Sequence, residues 1–199
     1  EYVKDRESND PDDEEIRLVS EAAHSMQAMV EEALQVLQEQ RTEGVSYAFT
    51  TEEMLGILEK RLTPLAENKD ISIQMPEKVP EASIDNMQAN LLVLALFNLG
   101  QNAIEATGKK GAVAFSCDVE SGNRLAFRVR DGGPGLPEDM LDTPFAPRVS
   151  RKQGGTGVGL AISCQLAERA GAELTLESNG PKGACFLVEI TLNGKPDDS

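Results

Sequence analysis

Apolar residues recur with two different periods along the chain. Between about residues 11 and 41 they return at every third or fourth position, which predicts a long helix with one apolar stripe. Such a helix buries its stripe on partner helices, as in a bundle. A capping-box pattern at residues 50–53 predicts the start of a second helix. A third helix is expected from about Met87 to Ala106, and because it is apolar on every side it should be deeply buried.

Alternation of apolar and polar residues predicts the strands. The expected inward-facing positions are Ile71, Ile73 and Met75; Val113, Phe115, Cys117 and Val119; Leu125, Phe127 and Val129; Ala172, Leu174 and Leu176; and Ala184, Phe186, Val188, Ile190 and Leu192. A further helix is expected to start near Thr156, before the last two strands. The pattern therefore predicts an α+β fold, a two-layer sandwich with helices on one face of a mixed, mostly antiparallel sheet, preceded by a long amphipathic helix.

Composition narrows the possible partners. The 199 residues carry a net charge of −15 with a pI near 4.5, so we expect binding to neither nucleic acid nor an anionic membrane surface. Three cysteines without close spacing indicate core residues in a reducing compartment, and a single histidine excludes a multi-histidine metal cluster. Because the first residue is Glu, we expect the sequence to be a piece of a longer protein.

An Asn-x₃-Asn pair lies on the helix that is otherwise apolar. Asn98 and Asn102 are four residues apart, so their side chains share one helical face. Each buried amide needs a partner, which can be neighbouring backbone or a polar ligand. An asparagine carbonyl is a hard oxygen ligand suited to Mg²⁺.

Two glycine-rich segments follow. The first, "DGGPGLP" at residues 131–137, comes directly after a strand and is either a plain turn or a carboxylate beside bare backbone, able to accept hydrogen bonds from a flat ring bearing an amine. The second, "GGTGVGLAIS" at residues 154–163, opens a helix. Its glycines either pack the helix on the sheet or let phosphate approach free N–H groups. Arg148, Arg151 and Lys152 precede it and suit a triphosphate, unless they only form a solvated loop.

Taken in order, these motifs resemble a known domain. Asn-x₃-Asn, then Asp-x-Gly-x-Gly, then Gly-x-Gly-x-Gly-Leu is similar to the ATP-binding (Bergerat, or GHKL) domain shared by sensor histidine kinases, gyrase-type ATPases and MutL proteins. The likeness covers roughly residues 50–192 and includes "TPFAPRVSRKQ", which resembles the lid of the histidine kinases, and "GPKGACF", which resembles their last glycine turn. The chain lacks the Gly-Lys-Ser/Thr of the Walker loop and the βαβ unit of a dinucleotide fold.

The resemblance implies roles for individual residues. Asn102 would coordinate Mg²⁺ bound to ATP, Asn98 would lie near the phosphates, and both would be catalytic. Asp131 would bind the adenine amino group, Phe145 would anchor a mobile lid over about residues 138–154, and the bases of that lid would touch the β- or γ-phosphate. The other nucleotide-binding residues would be Gly133, Gly135, Leu136, Arg148, Arg151, Lys152, Gly155, Thr156, Gly157, Val158, Gly159 and Leu160.

The resemblance also implies a domain organisation. Residues 1–45 would be part of the dimerisation and histidine-phosphotransfer bundle, residues 46–195 the ATP-binding catalytic domain and residues 196–199 a tail. His24 is followed by Ser25 rather than an acid, and its helix resembles the second helix of the bundle. We therefore expect the acceptor histidine to lie before residue 1. The parent would be a cytoplasmic or membrane-anchored bacterial sensor kinase that forms a homodimer through its bundle and passes phosphate to a response-regulator aspartate.

Two departures from the family pattern leave alternatives open. Glu105 and Ala106 replace the basic and aromatic residues that many members have at the end of the Asn box, and Ala184 and Cys185 replace hydroxyl residues in the last glycine turn. The alternatives are a serine kinase or ATPase of the same superfamily, and a phosphotransfer or scaffold protein with a degenerate nucleotide site. The ATPases usually have a Glu at the position of Asn98, and the intact glycines argue against a degenerate site.

Overall fold

A computed structural model describes residues 48–121, 123–146 and 159–192. The predicted N-terminal helix, with His24, lies outside these ranges. The elements in chain order are β1 (Ala48–Thr50), α1 (Thr51–Glu67), β2 (Ser72–Gln74), β3 (Ser83–Asp85), α2 (Asn86–Ala106), β4 (Ala112–Glu120), β5 (Arg124–Arg130), α3 (Gly159–Arg169), β6 (Ala172–Gly180) and β7 (Gly183–Thr191).

The first two helices begin at side-chain caps. The predicted capping box of α1 is confirmed: the side chain of Thr50 accepts from the backbone N–H of Glu53, and the carboxylate of Glu53 accepts from the backbone N–H of Thr50 at 2.9 Å. Asp85 caps α2 by accepting from the N–H groups of Met87 and Gln88. Each cap satisfies donors that a helix start leaves unpaired and contributes about 1 kcal/mol.

Five strands form the main sheet in the order β2-β4-β5-β7-β6. Only the β2–β4 pair is parallel, and the three other pairs are antiparallel, so the predicted mixed, mostly antiparallel sheet is confirmed. The chain crosses from β2 to β4 through α2, as a parallel connection requires. The short strands β1 and β3 form a separate antiparallel pair, which the sequence pattern did not predict.

The core fills the space between the helices and one face of this sheet. The predicted alternation is confirmed along β5 and β7, where Leu125, Phe127, Val129, Phe186 and Val188 are buried. The prediction is wrong at the end of β4, because Val119 is 48% exposed. It lies next to the β4–β5 turn, where the other edge of β4 has no partner in the described sheet, because β2 pairs only with Ala112, Val113 and Ala114.

Helix α2 is the central element of the helical layer. Eleven of its 21 residues are buried, and they come from every side of the helix. The expectation of deep burial is confirmed for the apolar run, where Leu92 to Leu96 are buried, whereas Met87 at the start of the helix is 48% exposed and Glu105 near its end is exposed. A buried amide side chain on α2 would therefore carry an energetic cost if it had no hydrogen-bond partner.

Candidate nucleotide-binding site

Asn98 and Asn102 of α2 both meet the first residue of α3. The Nδ2 of Asn98, a buried residue, donates to the carbonyl oxygen of Gly159 and to Oγ of Ser163, the latter at 2.6 Å. Asn102 lies one turn later, and a Cβ built on Gly159 would be 3.0 Å from its Nδ2. The Asn-x₃-Asn motif and the last glycine of the Gly-x-Gly-x-Gly motif are therefore in direct contact.

Asn102 differs from Asn98 in how its amide is satisfied. Its Nδ2 is buried and has no hydrogen-bond partner within the described ranges. A buried polar atom of this kind carries an energetic cost unless a ligand or another group completes it. The two amides on one face of α2, one bonded and one without such a partner, thus point to a polar ligand at the start of α3.

Asp131 lies beside the C-terminal end of α2, directly after β5. It is buried, its N–H donates to Ala184 O at 3.0 Å, and its Oδ1 accepts from the N–H of Gly133 at 2.7 Å. The residue is thereby held by β7 through its backbone and by the turn through its carboxylate. One oxygen is committed to the turn, which leaves the other as the group that can accept from a ligand amine.

The glycines around Asp131 are required by close backbone packing. A Cβ on Gly133 would lie 2.6 Å from Ala106 O, and one on Gly183 would lie 2.0 Å from Asp131 O. Gly135 has a φ of +80°, and its Cβ would lie 2.5 Å from Gly180 O. These contacts hold the "DGGPG" loop against the end of α2 and the β6–β7 turn, so the glycines have a packing role whether or not a nucleotide is bound.

Three polar residues that support the site had no role in the sequence analysis. Thr107 is buried at the end of α2, where its Oγ1 donates to Ala103 O and accepts from Gly132 N–H at 3.1 Å. Asn179 accepts from Leu136 N–H at 2.6 Å and donates to Leu136 O at 3.1 Å. Ser163 is the third. A threonine at a helix end and an Asn-Gly pair at a turn are visible in the sequence, but their partners are 25 and 43 residues away.

The predicted lid is described only as far as residue 146. It leaves Leu136 through a short 3₁₀ turn, Glu138–Met140, and reaches Phe145. The ring of Phe145 lies 6.3 Å from that of Phe186 on β7, tilted by 56°, which is a favourable aromatic pair. This contact fits the anchoring role that the resemblance assigns to Phe145.

The other predicted residues divide between the described and the masked part of the chain. Leu136 and Leu160 are partly buried and pack on the core, and Gly159 begins α3. Seven predicted residues lie outside the described ranges: Arg148, Arg151, Lys152, Gly155, Thr156, Gly157 and Val158. Within those ranges, no group of three or more His, Cys, Asp or Glu side chains could hold a metal ion. A divalent cation here would therefore depend on amide oxygens and on its own anion.

The face of the sheet away from the helices carries a charged cluster rather than a site of this kind. Arg128 contacts Glu177 at 2.7 Å and Glu120 at 2.5 Å, and the hydrogen bond from Arg128 holds the pKa of Glu177 below its usual value. Burial, followed by the hydrogen bond to Glu177, raises the pKa of the Cys185 thiol to about 11. Cys185 follows Ala184, the backbone partner of Asp131, so this cluster covers the back of the strand that supports the carboxylate.

Comparison with known families agrees with this geometry. Residues 87–194 match the model of the histidine kinase-, DNA gyrase B- and HSP90-like ATPase family. Because the match covers more than half of the chain, the protein belongs to this family. The matched range begins in α2 and contains both asparagines, Asp131 and Gly159.

Two curated relatives of the chain are kinases. The chain is 32% identical over 130 residues to the sensor histidine kinase ZraS of Escherichia coli, covering 64% of this chain and 27% of ZraS. It is 31% identical over 147 residues to sporulation kinase C of Bacillus subtilis, covering 72% of this chain and 34% of that kinase. It therefore spans about a third or less of the curated relatives it matches.

A solved structure shares the fold. Full-length ShkA in complex with AMPPNP superimposes with a TM-score of 0.63 and 26% sequence identity, covering 77% of this chain and 32% of ShkA.

None of the helices within the described ranges is long and apolar enough to cross a membrane.

Proposed function

We propose that this chain is the ATP-binding catalytic region of a two-component sensor histidine kinase. It would transfer the γ-phosphoryl group of ATP to a histidine on the dimerisation bundle, for relay to a response-regulator aspartate. The parent would be a homodimer through that bundle, with this region in the cytoplasm. The sensor kinase relatives and the AMPPNP complex of ShkA support the proposal.

The observation that carries the proposal is the arrangement of three motifs along α2. Asn98, within the helix, contacts the start of α3, and Thr107, which follows its C-terminal end, contacts the loop of Asp131. Nine residues of helix separate them, or about 14 Å at 1.5 Å per residue. That span suits a nucleoside triphosphate lying along the helix, with its base at Asp131 and its phosphates at Gly159.

The base end would select adenine through a carboxylate. Adenine presents an exocyclic amine, which donates hydrogen bonds, and the oxygen of Asp131 not held by Gly133 can accept one. A hydrogen bond to a charged acceptor is worth about 1.5–3 kcal/mol. Because guanine has a carbonyl oxygen at the same ring position, it would face the carboxylate unfavourably.

The phosphate end fits Mg²⁺ delivered with ATP. Both hydrogens of the Asn98 amide have protein acceptors, and Asn102 sits beside it on the same face. The available amide oxygens would complete a cation already bound to phosphate, which suits Mg²⁺ because it keeps several other ligands. When bound, Mg²⁺ would neutralise charge on the phosphates.

The chain itself would act by positioning. The amides and the start of α3 hold the phosphates, and the segment that ends at Phe145 covers the nucleotide and excludes water. The bond between the γ-phosphorus and its bridging oxygen breaks as the histidine ring nitrogen bonds to phosphorus, and ADP leaves. Orientation and charge neutralisation contribute most to such a step.

Calorimetric titration with ATP tests the proposal. The protein should bind ATP in the presence of Mg²⁺. Asp131→Asn should weaken binding by about 10- to 100-fold, because it replaces the accepting oxygen with a donor while Oδ1 can still accept from Gly133. The preference for ATP over GTP should fall in the same variant. An unchanged dissociation constant in Asp131→Asn contradicts the assignment, and a protein that binds no nucleotide would instead be a scaffold with a degenerate site.

The place of the acceptor histidine has its own test. After incubation with γ-labelled ATP, this chain should carry no stable label, whereas the parent's complete helical bundle, added separately, should become labelled. Stable label on His24 would overturn the expectation that the acceptor lies upstream.

A further inference from the structure

A buried hydroxyl joins the two motifs at the phosphate end. Ser163, on α3, is 0% exposed. Its Oγ lies 2.6 Å from Asn98 Nδ2 and 3.1 Å from Gly159 O. The side chain therefore stands between the Asn box and the first residue of α3, although it belongs to neither glycine nor asparagine motif.

The donors and acceptors of this cluster restrict how the Asn98 amide can be placed. Gly159 O and Ala95 O, which lie 3.1 Å and 3.5 Å from Ser163 Oγ, can only accept, so the hydroxyl donates towards these carbonyls and its Oγ lone pairs accept from Asn98. Asn98 also donates to Gly159 O. An amide NH₂ has two hydrogens, and both are used. The Oδ1 atom of Asn98 is consequently the polar atom that its side chain can offer to a ligand.

The same donors and acceptors determine the orientation of the Asn98 amide. Turning Asn98 by 180° would place Oδ1 against the carbonyl oxygen of Gly159, two acceptors without a hydrogen between them. The serine hydroxyl could turn to donate to that oxygen, but Asn98 Oδ1 and Gly159 O would still face each other with no hydrogen between them. Ser163 and Gly159 together hold Asn98 as an acceptor, which suits a cation and not a phosphate oxygen.

We propose that Ser163 is a positioning residue that orients the Asn98 amide so that its oxygen serves the cation carried by ATP. This inference rests on the proposed function, because it assumes that ATP·Mg²⁺ binds at the start of α3. It deepens that function by placing a determinant of cation dependence on α3, one helical turn beyond the glycine motif.

The test compares ATP binding with and without Mg²⁺ in Ser163→Ala. The variant should bind ATP·Mg²⁺ about tenfold more weakly, as expected when a group that orients a metal ligand is removed, and should bind ATP in EDTA nearly as the wild type does. The ratio of the dissociation constant in EDTA to the dissociation constant in Mg²⁺ should therefore fall towards one.

Thr51→Val is the matched control. It removes another buried hydroxyl, which donates to Pro80 O at the start of α1, far along the chain from the Asn box. It should lower the melting temperature, as Ser163→Ala does, but leave both dissociation constants unchanged. A Ser163→Ala protein that keeps the wild-type ratio, or weakens binding equally with and without Mg²⁺, overturns the inference.

Two further outcomes are also decisive. If Ser163→Ala does not fold, Ser163→Cys takes its place, since a thiol has similar size and is a weaker hydrogen-bonding group. An unchanged Mg²⁺ ratio in Ser163→Cys would then overturn the inference. If the wild type binds no ATP under either condition, the proposed function itself is wrong and this inference falls with it.

Discussion

Gly183 and Asp131 are so close that no other residue fits at position 183. A Cβ there would lie 2.0 Å from the carbonyl oxygen of Asp131, and the φ of Gly183 is +119°. The β6–β7 turn therefore sets the position of a carboxylate 52 residues earlier in the chain. The last glycine turn is part of the base end of the site through this contact.

Gly183→Ala should destabilise the domain and disturb the carboxylate together. We expect a loss of about 2 kcal/mol or more in the free energy of unfolding, from backbone strain and overpacking. ATP binding should weaken in the fraction that remains folded. Gly180→Ala on the same turn is the control, because a Cβ there meets nothing within 4 Å. Equal stabilities of the two variants in urea denaturation would contradict the contact.

Gly159→Ala should affect binding more than stability. The new Cβ would lie 3.0 Å from Asn102 Nδ2 and 3.2 Å from its Oδ1, so the amide must shift by a few tenths of an ångström. We expect ATP affinity to fall on the order of threefold to tenfold, since a small displacement of a positioned group is costly. Calorimetry measures this affinity directly. An affinity equal to that of the wild type would show that Asn102 does not contact the ligand.

Gly56→Ala should change stability and leave ATP binding unchanged, in contrast to Gly159→Ala. Gly56 lies inside α1, is exposed, and a Cβ there meets nothing within 4 Å. Alanine should stabilise the helix by roughly 0.5–1 kcal/mol without changing ATP affinity. A lower melting temperature than that of the wild type would contradict the described course of α1.

The ion pair of Glu177 with Arg128 predicts a pH dependence. Because the hydrogen bond from Arg128 lowers the pKa of Glu177 in the folded state, the stabilisation is present above the unfolded pKa near 4.5 and disappears as the pH falls through the lower folded value. Glu177→Gln should therefore cost about 0.5–1 kcal/mol at neutral pH and almost nothing at strongly acidic pH. The check is urea denaturation at both pH values, with Glu173→Gln on the same strand as the control. A cost that does not change with pH would exclude the ion pair.

The three thiols should differ in reactivity. Burial raises the pKa of Cys117 to about 12, and that of Cys185 is raised to about 11, whereas Cys164 is partly exposed. Since the thiolate is the reactive form, iodoacetamide at mildly alkaline pH should label Cys164 first in the native protein and all three in urea. Mass spectrometry of the labelled peptides gives the order. Early labelling of Cys117 would contradict its place in the core.

The sequence could predict elements that depend on local pattern. Helix α2 and strands β5 and β7 follow from apolar periodicity, because each is long enough to show a period and is buried on the predicted face. Strands β1 and β3 have three residues each and one large apolar residue, so they show no period. Strand β2 is equally short, but Ile71, Ile73 and Met75 continue its alternation beyond both ends. Val119 continues the alternation of β4, but its exposure depends on which strands flank β4 at that point, which is a tertiary property.

The residues of the site also divide into those that the sequence could predict and those that it could not. Asn98, Asn102, Asp131 and the glycines form motifs that can be read in order along the chain. Ser163, Thr107 and Asn179 support them through hydrogen bonds to distant residues, and a lone serine, threonine or asparagine has many possible partners. The resemblance also assigned Gly133 and Gly135 to the nucleotide, whereas their closest neighbours are backbone atoms of the domain itself.

The position of α2 between β2 and β4 has a consequence for how the site can open. The helix is buried around Asn98, from Leu92 to Leu96 and from Asn98 to Gly100, so amide hydrogens there should exchange with solvent only when the whole domain unfolds. The path to the lid starts at Leu136, which is held by the exposed side chain of Asn179. Hydrogen exchange should therefore divide the site in two. Amide hydrogens along α2 should be protected from exchange to the level of the global free energy of unfolding. The part of the site beyond Leu136 should open locally, so that nucleotide can enter and leave while the domain stays folded.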